Sequence, residues 1–178
     1  MQTMVQSALY WKALGFWAVF MVLYLVYKRF PNRVFAIFCS TQESNFQHYK
    51  SAFYSWIFLN VIEYALEHKN IADFETYFYS RMATAILLPW VIFILWYAVP
   101  AFYGKLPNIP LEVVYANVIT VVAGIFGAIF ERGLAQVQYF AELKAALWIL
   151  FLLSIAHYLI FTFVKLPWAD VFVEPDWK

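Results

Sequence analysis

The sequence predicts an all-α fold, a polytopic transmembrane helix bundle of about five spanning helices forming one domain over residues 1–178. Three observations predict it. Five apolar runs lie near 8–27, 51–66, 82–103, 111–130 and 145–164, and a hydrocarbon core about 30 Å thick is crossed by roughly 20 apolar residues of helix. Charged residues make up only 13% of the chain, about half the usual share of a soluble domain. Aromatic residues reach 22%, and Trp and Tyr favour the membrane–water interface.

The first helix takes residues 8–27. Its apolar stretch is long for a signal peptide, and Lys28-Arg29-Phe30-Pro31 follows it in place of a small-residue cleavage site. It is therefore expected to be retained. Lys12, one turn inside, is expected to snorkel to the headgroups. The next connection, 28–50, holds Val34-Phe35-Ala36-Ile37-Phe38, apolar but too short to cross. This segment is expected to lie in the interface or tuck against the bundle. Gln42-Glu43-Ser44-Asn45 then supplies polar capping groups before the second helix, which starts near Ser44 and crosses over 51–66.

The third helix, 82–103, contains Pro89 and Pro100. Proline removes a backbone donor, and in lipid the freed carbonyl needs another partner. Lys105-Leu106-Pro107-Asn108-Ile109-Pro110 is a tight turn that makes the third and fourth helices antiparallel neighbours. The fifth helix ends at Val164-Lys165, and the tail from Leu166 keeps further Trp for the interface. Tyr10, Trp11, Tyr27, Tyr49, Tyr54, Tyr77, Tyr79, Tyr103 and Trp168 fall near span ends, as an aromatic belt requires.

Five spans place Lys28, Arg29, Arg33, Lys50, Lys105, Lys165 and Lys178 on one face and Lys12, Lys69, Arg81, Arg132 and Lys144 on the other. Seven basic residues against five favour a cytoplasmic C-terminus and an external N-terminus.

Polar groups inside the spans are the candidate functional residues, because an ionised side chain in lipid is costly unless paired or hydrated. Trp56, Asn60, Glu63 and Glu67 share a helical face. Glu63, about a turn inside the boundary, reads either as a proton or cation site or as a partner of Arg81 or Arg132. Ala123, Gly124, Gly127 and Ala128 form small-residue pairs suited to close helix packing. Glu131 continues that stripe, so Glu63, Glu67, Arg81, Glu131 and Arg132 form a candidate polar cluster, with His68 as a further counter-group. Asn60, Asn117 and His157 are mid-membrane polar groups. His157 reads as a neutral imidazole bonded to Asn60, Asn117 or Thr120, or as a haem or metal ligand needing a partner at its depth. His48, His68 and His157 lie at three depths, and no paired Cys or His spacing exists, so no metal or other cofactor is expected. No nucleophile elbow or phosphate loop is present, and the case for an enzyme is thin. A net charge of +1 gives no face for nucleic acid.

Glu43-Ser44, His48-Tyr49-Lys50 and Ile62-Glu63-Tyr64, with Pro89, the Tyr97–Gly104 region and Phe161-Thr162-Phe163 before Pro167, carry a resemblance. The chain resembles a family of small uncharacterised prokaryotic membrane proteins. Its members look like five-helix proteins with an Asn-Glu-Ser and Glu-His-x-Lys start to the second helix, a later Ile-Glu-Tyr and a closing Phe-Thr-Phe. Here Thr41-Gln42 and Gln47 depart from that pattern, and Leu23 and Tyr27 stand where the family has a histidine and an acid late in the first helix. The resemblance implies the fold, a prokaryotic cell membrane, and a helix-start cluster of Glu43, His48 and Lys50 with Glu63 beyond. It implies no reaction. His48 and Glu63, fifteen residues apart, are separated by ~22 Å on a straight helix and cannot share one site.

Three functions are compatible with these residues. One is an accessory or scaffold subunit acting by helix packing, with the lipid bilayer, other membrane subunits or a second copy as partners. Another is a proton- or cation-coupled carrier using Glu63 and Glu131. The last is an intramembrane enzyme or lipid-binding protein in which His48 or His157 acts beside an aromatic cavity.

Overall fold

A computed structural model describes residues 2–104, 106, 108–164 and 170–173. Among them only helices form: α1 (Gln2–Arg29), α2 (Arg33–Phe38), α3 (Asn45–Glu67), α4 (Phe74–Tyr103), α5 (Ile109–Leu134) and α6 (Ala141–Phe163), with short 3-10 turns at His68–Asn70 and Asp170–Phe172. Lys105, Pro107, Lys165, Pro167, Trp168 and Lys178 lie outside the described residues.

Four helices are long and apolar enough to cross a membrane: α1 over Leu9–Arg29, then α4, α5 and α6. The expectation of five such helices is corrected at α3. Its 23 residues span ~34 Å, ample for a bilayer. Lys50, Asn60, Glu63 and several serines dilute its apolar character, and most of these polar groups are turned inward.

Helices α1, α3, α4 and α5 form a ring, each packed on the next, and α6 lies outside it against α4. From Phe46 to Trp56 nearly every residue of α3 is buried, so α3 is the central helix. Large rings fill its contact with α6, where Phe53 meets Phe151 and Tyr158 at centroid distances of 5.5 and 5.2 Å. Tyr49 and Tyr54 belong to this core, which corrects their assignment to an interfacial belt. Tyr10, Trp11 and Tyr103 are exposed near helix ends.

Small residues set the ring's closeness. A Cβ on Gly124 would come within 3.0 Å of the Ala13 backbone in α1, and one on Gly127 within 2.8 Å of the Trp56 ring. Ala123 and Ala128 are buried beside them. In lipid, where helices gain little from expelling water, such backbone approach supplies much of the association.

Local signals end the helices. Asn32 and Asp73 accept hydrogen bonds from the first backbone amides of α2 and α4. Ser44 stands at the N-cap of α3 but gives it no side-chain bond; its hydroxyl instead accepts from Gln42 Nε2 at 3.0 Å. Gly104 closes α4 with φ of 76°, a conformation that suits glycine. Pro100 deprives the Trp96 carbonyl of its helical donor, and the Tyr115 hydroxyl of α5 donates to that carbonyl and to that of Leu95. The apolar segment before α3 becomes α2, tucked against α1, α3 and α6.

Candidate functional site

The up-and-down order of the ring brings the start of α1, the end of α3, the start of α4 and the end of α5 to one end of the bundle. There Glu131 accepts from Lys12 Nζ at 2.5 Å and lies 3.1 Å from an Arg81 nitrogen. Glu63 accepts from Lys12 at 2.8 Å and from two nitrogens of Arg81 at 2.9 and 3.1 Å. Asn60 Oδ1 accepts a third bond from Lys12, at 3.0 Å. Tyr77 stacks under the Arg81 guanidinium at 3.4 Å and donates to the Asn60 carbonyl. Two cations and two carboxylates therefore form one neutral network tying four helices. Their side chains are 8–24% exposed.

Lys12 corrects the sequence reading most sharply. It does not snorkel away; it is the hub. A signal was present, since Glu63 and Glu131 directed at one Arg81 leave a negative charge needing a second cation. Arg132 and Glu67 are exposed and join no ion pair among the described residues, and His68 is exposed beyond the helix end. The predicted polar cluster thus keeps Glu63, Arg81 and Glu131 and loses Glu67 and Arg132.

At the opposite end, Glu43 fixes the loop before α3 onto α1. Its carboxylate accepts from the Tyr24 hydroxyl at 2.6 Å and from Lys28 at 2.8 Å, and Lys28 also sits 4.3 Å from the Tyr24 ring centre. Burial alone would raise the Glu43 carboxyl, but the bonds from Lys28 and Tyr24 outweigh it and hold the group below its ordinary value. His48 Nε2 lies 3.9 Å from Glu43, its ring stacked beside Phe20 and Tyr24.

Lys50 leaves this cluster. Two residues on, it points ~200° round the helix, where it is fully buried and donates to the Ala36 carbonyl at 2.7 Å and to Thr162 Oγ1 at 3.0 Å. It binds α2 and α6 to α3. His157 is also corrected: it meets the rings of Phe46 and Phe161 on an exposed face, and neither Asn60, Asn117 nor Thr120 bonds to it. Asn117 instead accepts from Trp17 Nε1 at 2.8 Å. No group of three His, Cys, Asp or Glu suited to a metal occurs among the described residues.

Glu43 and His48 open onto a cavity of about 150 Å³ between α1, α3, α4 and α5. Phe20, Met21, Ile92, Trp96 and Ile119 form its apolar wall, while Asn45, Glu112 and Asn117 add polar groups. Sequence reasoning missed Tyr24, Lys28, Trp96 and Glu112 here. Tyr24 and Lys28 are neighbours at i and i+4 on α1, but no short motif links them to Trp96 of α4 or Glu112 of α5, which only the closed ring brings alongside. No family model, curated protein or solved structure matches the chain significantly.

Proposed function

We propose that this chain is an integral membrane protein that crosses the bilayer five times and binds a small amphiphilic molecule in the cavity between α1, α3, α4 and α5. The fifth crossing is α3. Its place in the ring between α1 and α4 supports this, as does the burial of Gln47, Lys50, Ser51, Ser55 and Asn60 away from lipid. Once Lys12, Arg81 and Lys50 are set aside as internal, the basic residues stand at six against three. That favours a cytoplasmic position, in a prokaryotic cell membrane, for the face holding the α1–α3 loop.

The observation that carries the binding reading is the cavity itself. Ligand sites combine an apolar lining with a few convergent polar groups. Here an aromatic and aliphatic wall meets Glu43, His48, Asn45 and Glu112 at one rim. The charge network at the other end is a brace in this reading, since both carboxylates already hold both cations. A carrier's coupling group must instead exchange its partner during each cycle. A subunit role would use the outer face of α6, where Ile149, Leu152, Leu153 and Ile160 are exposed; acyl chains meet those side chains equally well.

The test is mass spectrometry of small molecules retained by the protein purified in mild detergent, compared with Ile119→Trp, whose larger ring fills the cavity. A species bound to the wild type and lost from a folded variant supports the proposal. Identical retention by both proteins overturns it.

A further inference from the structure

We infer that the occupant of this cavity is a monovalent organic cation, an amine or quaternary ammonium with a small apolar body; this rests on the binding reading above. The charged side chains lining the cavity are both acidic, Glu43 and Glu112, and no Lys or Arg lines it. Glu43 is already balanced by Lys28 at 2.8 Å. Glu112, half-buried on α5, has no side-chain bond or ion pair among the described residues. Among the described residues, one carboxylate lining the cavity is left without a counter-ion.

The walls suit such a guest. Phe20, Tyr24, Tyr49 and Trp96 border the cavity, and the negative face of an aromatic ring attracts a cation, most strongly where water is scarce. The protein uses this chemistry on itself at the same rim, where the Lys28 ammonium sits over the Tyr24 ring and against the Glu43 carboxylate. An anion would meet the Glu112 carboxylate there, and the one cation at the rim, Lys28, is already engaged by Glu43. The side-chain amide of Asn117 is already engaged by Trp17 and by the Val113 carbonyl.

The experiment uses the full chain in nanodiscs of zwitterionic lipid, with empty discs subtracted. Equilibrium dialysis compares benzyltrimethylammonium with neopentylbenzene, its neutral isostere in which carbon replaces nitrogen. The expected result is binding of the cation at least about tenfold tighter than the isostere, a ratio worth ~1.4 kcal/mol. Glu112→Gln is expected to cut cation affinity about tenfold without changing the isostere, and Glu112→Lys, which supplies its own ammonium, to abolish cation binding alone. Equal binding of both probes, lost together in Ile119→Trp, overturns the charge assignment and leaves the binding reading standing. Binding of neither probe to wild type overturns the inference, and the comparison of retained molecules with Ile119→Trp still decides the binding reading. If Glu112 serves only the helix start, Glu112→Gln lowers thermal stability while the cation-to-isostere ratio is unchanged, which also overturns the inference. Should Glu112→Gln fail to fold, the ratio measured on the wild type decides.

Discussion

Lys12 and Glu131 meet at 2.5 Å across 119 residues of chain, joining the first helix of the ring to the last. Removing one member of such a buried set strands an opposite charge. Lys12→Met, which leaves Arg81 alone against two carboxylates, is expected to destabilise the bundle by on the order of 3 kcal/mol. The double variant Lys12→Met/Glu131→Gln again has one cation and one carboxylate, and should recover most of that loss. Thermal unfolding in detergent gives the cycle; strictly additive losses would show that the two residues do not act as a pair.

Gly127 faces the Trp56 ring with no room for a methyl group. Gly127→Ala should therefore cost about 1–3 kcal/mol through overpacking. Trimming the opposing ring in Gly127→Ala/Trp56→Phe should return part of the stability. Unchanged unfolding of the single variant would mean that α3 and α5 approach less closely than described.

Lys50 donates to a carbonyl near the end of α2, a short helix with few other ties. Replacing it by Met leaves the Ala36 oxygen without that donor, at about 1–3 kcal/mol. The loss should be local. Hydrogen exchange over Arg33–Phe38 is expected to accelerate about tenfold, the rate equivalent of ~1.4 kcal/mol, while α4 and α5 keep their protection. Unaltered exchange in α2 would remove Lys50 from this role.

The Glu43 link should fail in acid. Its carboxyl lies below the ordinary value of 4.5 in the folded chain, so its contribution is fully present above that value and lost as pH falls through the folded one. Glu43→Gln is expected to lower thermal stability at pH 7, and the difference from the wild type to shrink as the pH falls below 4.5 and through the folded carboxyl's value. A difference that persists undiminished at low pH would assign the effect to packing.

The long apolar runs could be read from the chain because span length is a property of single segments. So could the convergence of Glu63, Arg81 and Glu131, since helix spacing and alternating direction put them at one end. Lys12 could not be read that way. A lysine near a helix end is ordinarily a headgroup anchor, and only the charge balance of three other helices assigns it inward. The cavity was equally hidden, because Phe20, Trp96 and Glu112 come together through ring closure alone. At α3 the same closure accounts for a less apolar sequence: a helix shielded on several sides can carry Lys50 and Asn60 that a lipid-facing helix could not.

The buried polarity of α3 bears on how the protein is made. A segment bearing Lys50, Asn60 and Glu63 partitions poorly into acyl chains by itself, because an ionised group in lipid is costly unless paired or hydrated. Yet α3 leaves the ribosome before α4 and α6, which bring Arg81 to Glu63 and Thr162 to Lys50. If α3 is the fifth crossing, as proposed above, its stable integration must wait for those helices, with α1 and Lys12 as its first companions.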